Sequence, residues 1–226
     1  MAEPVGRGAA RVERFGEAAL LVVLGDRVDP VINDHVHRLS FRLDVRAARM
    51  PGLGAPVPAY ASVLVPFDPS VLDEAVVRGV IAEALGAAAE PDTAVDPLPV
   101  IQVPVRYGGA AGPDLAEVAA RTGHSEDDVV RLHAGAEYRV FCVGFAPGFP
   151  YLGLVPEELA LPRRPTPRLR VAAGSVAIAG RQTGIYPSDT PGGWHVIGRT
   201  DLPVWDSHRD PPALLAPGAR VRFVPA

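Results

Sequence analysis

No lysine occurs in the 226-residue sequence, so all 22 basic side chains are arginine. That absence removes a P-loop, whose lysine reaches the terminal phosphates of a bound nucleotide. Cys142 is the only cysteine, so no intrachain disulfide can form. Its neighbours Val140, Phe141 and Val143 fit a buried, inert thiol in a reducing cytoplasm. Acidic side chains outnumber basic ones, 26 to 22: the net charge of −4 opposes the electropositive footprint that nucleic acid requires, and with only 6% aromatics a base-stacking groove is not expected. No stretch reaches the ~18 apolar residues of a membrane span, and the first ten residues carry Glu3 but no apolar signal core. A cytoplasmic protein, neither exported nor membrane-embedded, is expected. The six histidines show no Cys-X-X-Cys or His-Glu-X-X-His spacing, and His35 and His37 lie ~200° apart around a helix, so no metal site is expected.

What is present is the composition of a folding chain, 48% hydrophobic and 21% charged, with 23 glycines and 25 prolines. The first part reads as two short strands over 11–24, a helix from Asp29-Pro30 toward Met50, extended segments over 55–60 and 62–67, and a second helix from Asp68-Pro69-Ser70 to Gly86. Residues 87–99 have the small, acidic, proline-containing composition of a connection, and 100–105 reads as a strand. If that strand completes the βαββα order, the result is a ferredoxin-like split βαβ domain. Two short helices follow, 112–121 and 125–135, with Pro-Asp and Ser starts. Brief strands at 139–143, 175–179, 195–198 and 220–223 then favour a barrel or sandwich. The expectation is an α+β chain with a ferredoxin-like domain over 1–90 and a β-barrel domain with two short helices over 91–226.

Three segments, 144–153, 173–187 and 190–200, spend glycine, proline and polar residues where a plain strand protein needs generic turns. Glycine permits positive φ and close backbone approach, and proline fixes φ, so the pair builds rigid ligand-facing loops; the same residues also suit tight barrel turns. Residues 162–170 carry four arginines, Arg163, Arg164, Arg168 and Arg170, suited to a solvated loop, a small anion or a subunit contact. His133 at a helix end and His195 beside Trp194 are candidates for proton transfer or for structural hydrogen bonds.

These segments, supported by Tyr107-Gly108-Gly109 and residues 133–138, closely resemble the family of 5-oxoprolinase B subunits. That family is also described as allophanate hydrolase subunit 1 and includes the Kip-type inhibitor of a sporulation histidine kinase. The resemblance implies a ferredoxin-like domain followed by a cyclophilin-like barrel. It implies an enzyme subunit, inactive alone, of an ATP-dependent lactam hydrolase opening 5-oxoproline to glutamate with separate A and C subunits. The partners would handle ATP, the co-substrate. The alternatives carried by the same match are a kinase inhibitor and a carboxyltransferase-like subunit of urea or allophanate metabolism. The site residues expected on this basis are His133, Tyr186, His195 and Arg199 for catalysis. Phe145, Pro147, Gly148, Arg168, Gln182, Thr183, Gly192, Gly193 and Trp194 are expected to bind substrate, with Arg199 or Arg168 for a carboxylate or phosphoryl oxygen.

Overall fold

The computed structural model describes residues 10–88 and 99–226. The chain forms two compact units, Met1–Asp96 and Pro97–Ala226. Most of the expected connection over 87–99 lies outside the described residues, and its first two positions close the second helix.

In the first unit, strands β1 (Arg11–Arg14), β2 (Ala19–Val23), β3 (Val57–Pro58) and β4 (Ser62–Pro66) form an antiparallel sheet of order β1-β2-β4-β3. Helices α1 (Pro30–Ala47) and α2 (Glu74–Ala88) complete the unit. Asp29 caps α1 by accepting from the Val31 and Ile32 amides at 2.8 and 3.2 Å, and Pro30 opens the helix with φ already set. Val36, Leu39 and Leu43 recur on one face and are fully buried with Leu20, Val22, Val63 and Val65 of the central strands. The second helix starts later than its Asp-Pro-Ser signal predicts. The Asp68 carboxylate accepts from both the amide and the hydroxyl of Ser70, at 2.9 and 2.7 Å, which closes a separate turn before the helix begins.

Residues 100–105 do not complete this sheet. They belong to β5 (Val100–Tyr107) of the second unit, between β12 and β13 of a closed barrel ordered β10-β7-β6-β13-β5-β12-β9. The other barrel strands are β6 (Tyr138–Val143), β7 (Pro150–Gly153), β9 (Ser175–Ala179), β10 (Gln182–Ile185), β12 (His195–Arg199) and β13 (Arg220–Pro225). The reason is a long-range pairing. Val103 and Val105 alternate inward and are buried with Phe223 of β13, to which β5 runs parallel with Phe223 opposite Val103. A two-stranded sheet, β8 (Arg168–Val171) with β11 (Thr190–Gly192), lies outside the barrel. Helices α3 (Leu115–Thr122) and α4 (Glu126–Gly135) contribute Leu115, Val118 and Val129 to the barrel core. Ser125 caps α4 through the Asp128 amide at 3.1 Å, while Gly123, in the left-handed region at φ 73°, ends α3.

Strand β9 is buried on both faces. Val176 and Ile178 point into the barrel, whereas Ala177 and Ala179 face a second cluster outside it with Phe149, Val171, Tyr186, Trp194 and Val196. Along β12 ordinary alternation puts Val196 in that outer cluster and Ile197 in the core, and a bulge between Val196 and Gly198 shifts the register that follows. The small alanine side chains leave room for large rings to lie on the barrel wall. Among the described residues no helix is long and apolar enough to cross a membrane, and no group of three His, Cys, Asp or Glu side chains is placed to hold a metal.

A candidate aromatic cleft on the barrel wall

A cleft of about 240 Å³ opens over the outer cluster. All three glycine- and proline-rich segments meet there. Residues 144–153 supply Phe145, Phe149 and Tyr151; residues 173–187 supply Tyr186; residues 190–200 supply Pro191, Gly192, Gly193 and Trp194. The arginine-rich run adds Arg163 and Pro167. Phe149 is the hub, making edge contacts to Phe145, Tyr151, Tyr186 and Trp194 at centroid distances of 5.5, 4.9, 5.1 and 5.6 Å.

Backbone geometry gives the cleft its shape. Phe145 is held at φ 67°, a left-handed conformation that non-glycine residues rarely adopt, and the residue is 63% exposed at the mouth. Gly148 adopts φ 78°, and a Cβ there would stand 2.7 Å from the Trp205 side chain, so the turn is glycine for packing as well as for conformation. A Cβ on Gly192 would overlap the Tyr186 hydroxyl and stand 2.8 Å from its Cζ. The Tyr186 phenol therefore lies directly on the β11 backbone. Burial pushes its pKa up, opposed by the Trp194 amide and by the charge of Arg163, so at neutral pH it is a hydrogen-bonding phenol and not a base.

Five of the residues expected from the sequence line this cleft: Phe145, Tyr186, Gly192, Gly193 and Trp194. The others stand elsewhere. His133 is fully buried inside the barrel, stacked on Phe223 at 4.6 Å, with Nδ1 2.8 Å from the Tyr107 hydroxyl and Nε2 2.9 Å from Thr183 Oγ1. Thr183 Oγ1 donates to the Ala177 carbonyl at 3.1 Å, so it accepts from His133 Nε2–H, and Nδ1 accepts from Tyr107. This is a neutral chain across the core, and burial pulls the His133 pKa down to about 3. His195 has no exposed side-chain surface; its Nε2 donates to the Pro162 carbonyl at 3.1 Å, Nδ1 lies 3.9 Å from Glu117, and burial lowers its pKa. Arg199 is exposed on β12 and absent from the cleft lining, as are exposed Pro147, buried Gly148 and half-buried Gln182 on β10.

Arg168 is committed to another group. Both its terminal nitrogens donate to Asp114 at 2.7 Å, and Arg164 adds a third bond to the same carboxylate at 2.9 Å. Asp114 also accepts from the Val196 amide at 2.7 Å, although its Pro-Asp sequence reads as a helix cap. Burial raises its pKa, but the Arg168 bonds, the Val196 amide and the two guanidinium charges together hold it below the usual carboxylate range. Arg170 pairs with Asp189. Sequence reasoning passed over Phe149, Tyr151, Arg163, Pro167 and Pro191 as cleft residues. One signal was available: aromatics make up only 6% of the chain, yet three fall within residues 145–151.

The family model of the carboxyltransferase domain, subdomain C and D, matches residues 10–215. The 5-oxoprolinase B subunit of Escherichia coli O157:H7 is 44% identical over 218 residues, covering 96% of each chain. Among solved structures, TTHA0988 superimposes with a TM-score of 0.82 at 40% identity; 92% of this chain is covered, and it spans only 40% of that longer chain. K. lactis urea amidolyase gives a TM-score of 0.74 at 20% identity over 96% of this chain and 15% of its own, a likeness of fold alone. With a family model spanning both units and a relative of 44% identity over nearly its whole length, the chain belongs to the 5-oxoprolinase B-subunit family of carboxyltransferase C and D domains.

Proposed function

We propose that this protein is a subunit of an ATP-dependent 5-oxoprolinase, converting 5-oxoproline to glutamate in the cytoplasm with separate A and C subunits. The observation carrying this reading is the near full-length similarity to proteins named as 5-oxoprolinase B subunits, joined to an aromatic cleft sized for a small ring. At about 240 Å³ the cleft falls below the ~300–1,000 Å³ of pockets for drug-sized ligands, so it suits a five-membered lactam better than a nucleotide. The lysine-free chain offers no P-loop, and in this reading ATP is handled by the partner subunits.

Among the described residues the cleft lining contains tyrosine hydroxyls and one guanidinium but no serine, cysteine, histidine or carboxylate. Such a surface can seat and orient a lactam, with the Tyr186 hydroxyl available as a hydrogen-bond donor; it lacks a nucleophile with an adjacent base. Activity would then require groups from another polypeptide, which fits a subunit inactive alone. In the same reading the two units are ferredoxin-like and cyclophilin-like scaffolds. The antiparallel sheet with two helices and the closed barrel support this, and neither scaffold implies an activity of its own.

The test is co-expression with candidate A and C subunits and an assay for glutamate from 5-oxoproline and ATP. An intact, folded complex that forms none rejects the proposal. A second reading, a protein acting on urea or allophanate, is compatible with the carboxyltransferase description and with the fold shared with K. lactis urea amidolyase. Those substrates belong in the same assay, and turnover of either in place of 5-oxoproline selects it.

A further inference from the structure

Of the four arginines in residues 162–170, three are neutralised. Arg164 pairs with Asp114 and Glu117, Arg168 with Asp114, and Arg170 with Asp189. Arg163 forms no ion pair with a carboxylate of the described residues, is exposed, and lines the cleft. From that place in the lining its charge opposes the rise that burial imposes on the Tyr151 and Tyr186 pKa values.

The backbone on either side of Arg163 is pinned. The Pro162 carbonyl accepts from His195 Nε2 at 3.1 Å, and the Arg164 amide donates to the Gly193 carbonyl at 2.8 Å. Prolines at 162, 165 and 167 remove further freedom from the segment. The Arg163 side chain is thus presented from a stiff backbone, which leaves only side-chain rotamers to be ordered when it meets a ligand.

An aromatic box without a cation commonly takes quaternary ammonium groups. An uncompensated guanidinium reverses that preference: it repels cations and offers a bidentate fork to a carboxylate, while the rings cover a flat apolar body. We infer that Arg163 is the carboxylate anchor of the cleft, which selects small, flat monoanions. Identifying the natural anion as 5-oxoproline rests on the function proposed above. His195, buried behind the Pro162 carbonyl, is a positioning residue for Arg163.

Calorimetric titration of the full chain tests this with three probes: 5-oxoproline, 2-pyrrolidinone, which has the same ring without the carboxylate, and cyclopentanecarboxylate, which has the carboxylate without the lactam. Both carboxylates should bind at least about tenfold more tightly than 2-pyrrolidinone, the scale of one charge-assisted hydrogen-bonding contact. Arg163→Gln should abolish that preference and leave 2-pyrrolidinone within about twofold of wild type, which also reports an intact cleft; Arg163→Lys should retain part of the preference. Retention of the full preference in Arg163→Gln, or no carboxylate preference in wild type, overturns the inference. The functional reading fails separately: carboxylates bound through Arg163 without turnover in the assembled complex would sink the lactam-hydrolase proposal and leave the anchor standing. Normal turnover and KM in the Arg163→Gln complex would do the reverse.

Discussion

Asp114 and Arg168 meet through both carboxylate oxygens and both terminal guanidinium nitrogens, at 2.7 Å each, across 54 residues of sequence. The same carboxylate takes the Val196 amide at 2.7 Å, so one side chain joins the start of α3, the edge of β8 and strand β12 beneath the cleft.

Asp114→Asn should destabilise the second unit by about 3 kcal/mol, toward the low end for broken buried pairs because Arg164 and Arg168 stay partly exposed. Denaturant unfolding measures this. The depressed pKa makes the contribution present above the unfolded carboxylate value and lost as pH falls through the folded one, so the gap between wild type and variant should close in acid. A gap that persists unchanged at low pH would contradict the pairing.

The buried His133 sets a second pH dependence with its own window. Its folded pKa, about 3, lies below an unfolded value near 6.5, so the unfolded state takes up the proton first as pH falls between them. Stability from neutral His133 is complete above about pH 6.5 and should drop by about 2 kcal/mol by pH 5. In His133→Gln that part of the slope should vanish, as measured by unfolding at pH 7 and pH 5; an identical slope in the variant refutes the assignment.

Phe145 combines left-handed backbone with an exposed position, so two substitutions separate strain from contact. Both Phe145→Ala and Phe145→Gly lose the edge contact to Phe149, but only glycine relaxes the backbone. Phe145→Gly should be more stable than Phe145→Ala by about 1 kcal/mol in thermal unfolding, and both should weaken binding of ring ligands.

At Gly192 the added methyl of Gly192→Ala meets the Tyr186 ring, with Cζ at 2.8 Å and Cε1 at 2.9 Å. The expected cost is about 1–3 kcal/mol of stability together with a displaced phenol. Adding Tyr186→Phe removes the nearest atom and should restore part of the loss, which a double-mutant cycle by calorimetry would show. Wild-type stability in the single variant would mean the phenol does not rest on β11.

Much of this molecule was readable one residue at a time. The caps at Asp29 and Ser125 act over two or three positions, and the 3.6-residue rhythm of Val36, Leu39 and Leu43 marks one helix face, so α1 and α4 stand where the sequence predicts them. Strands β7, β10 and β11 were not legible: each has three or four residues, contains glycine or proline, and lacks the alternation that marks a half-buried strand. Strand β5 was visible, but its place in the barrel was not, because nothing local states which sheet an alternating strand will join.

The sequence by itself determined that rigid, glycine- and proline-shaped segments and an arginine cluster occupy the second half of the chain, since backbone restriction and side-chain charge are properties of single residues. Which guanidinium remains free for a ligand was decided only by the tertiary structure. Arg164 and Arg168 are claimed by Asp114, 50 and 54 positions away, and Arg163, chemically identical to both, faces the cleft because the folded backbone turns it there.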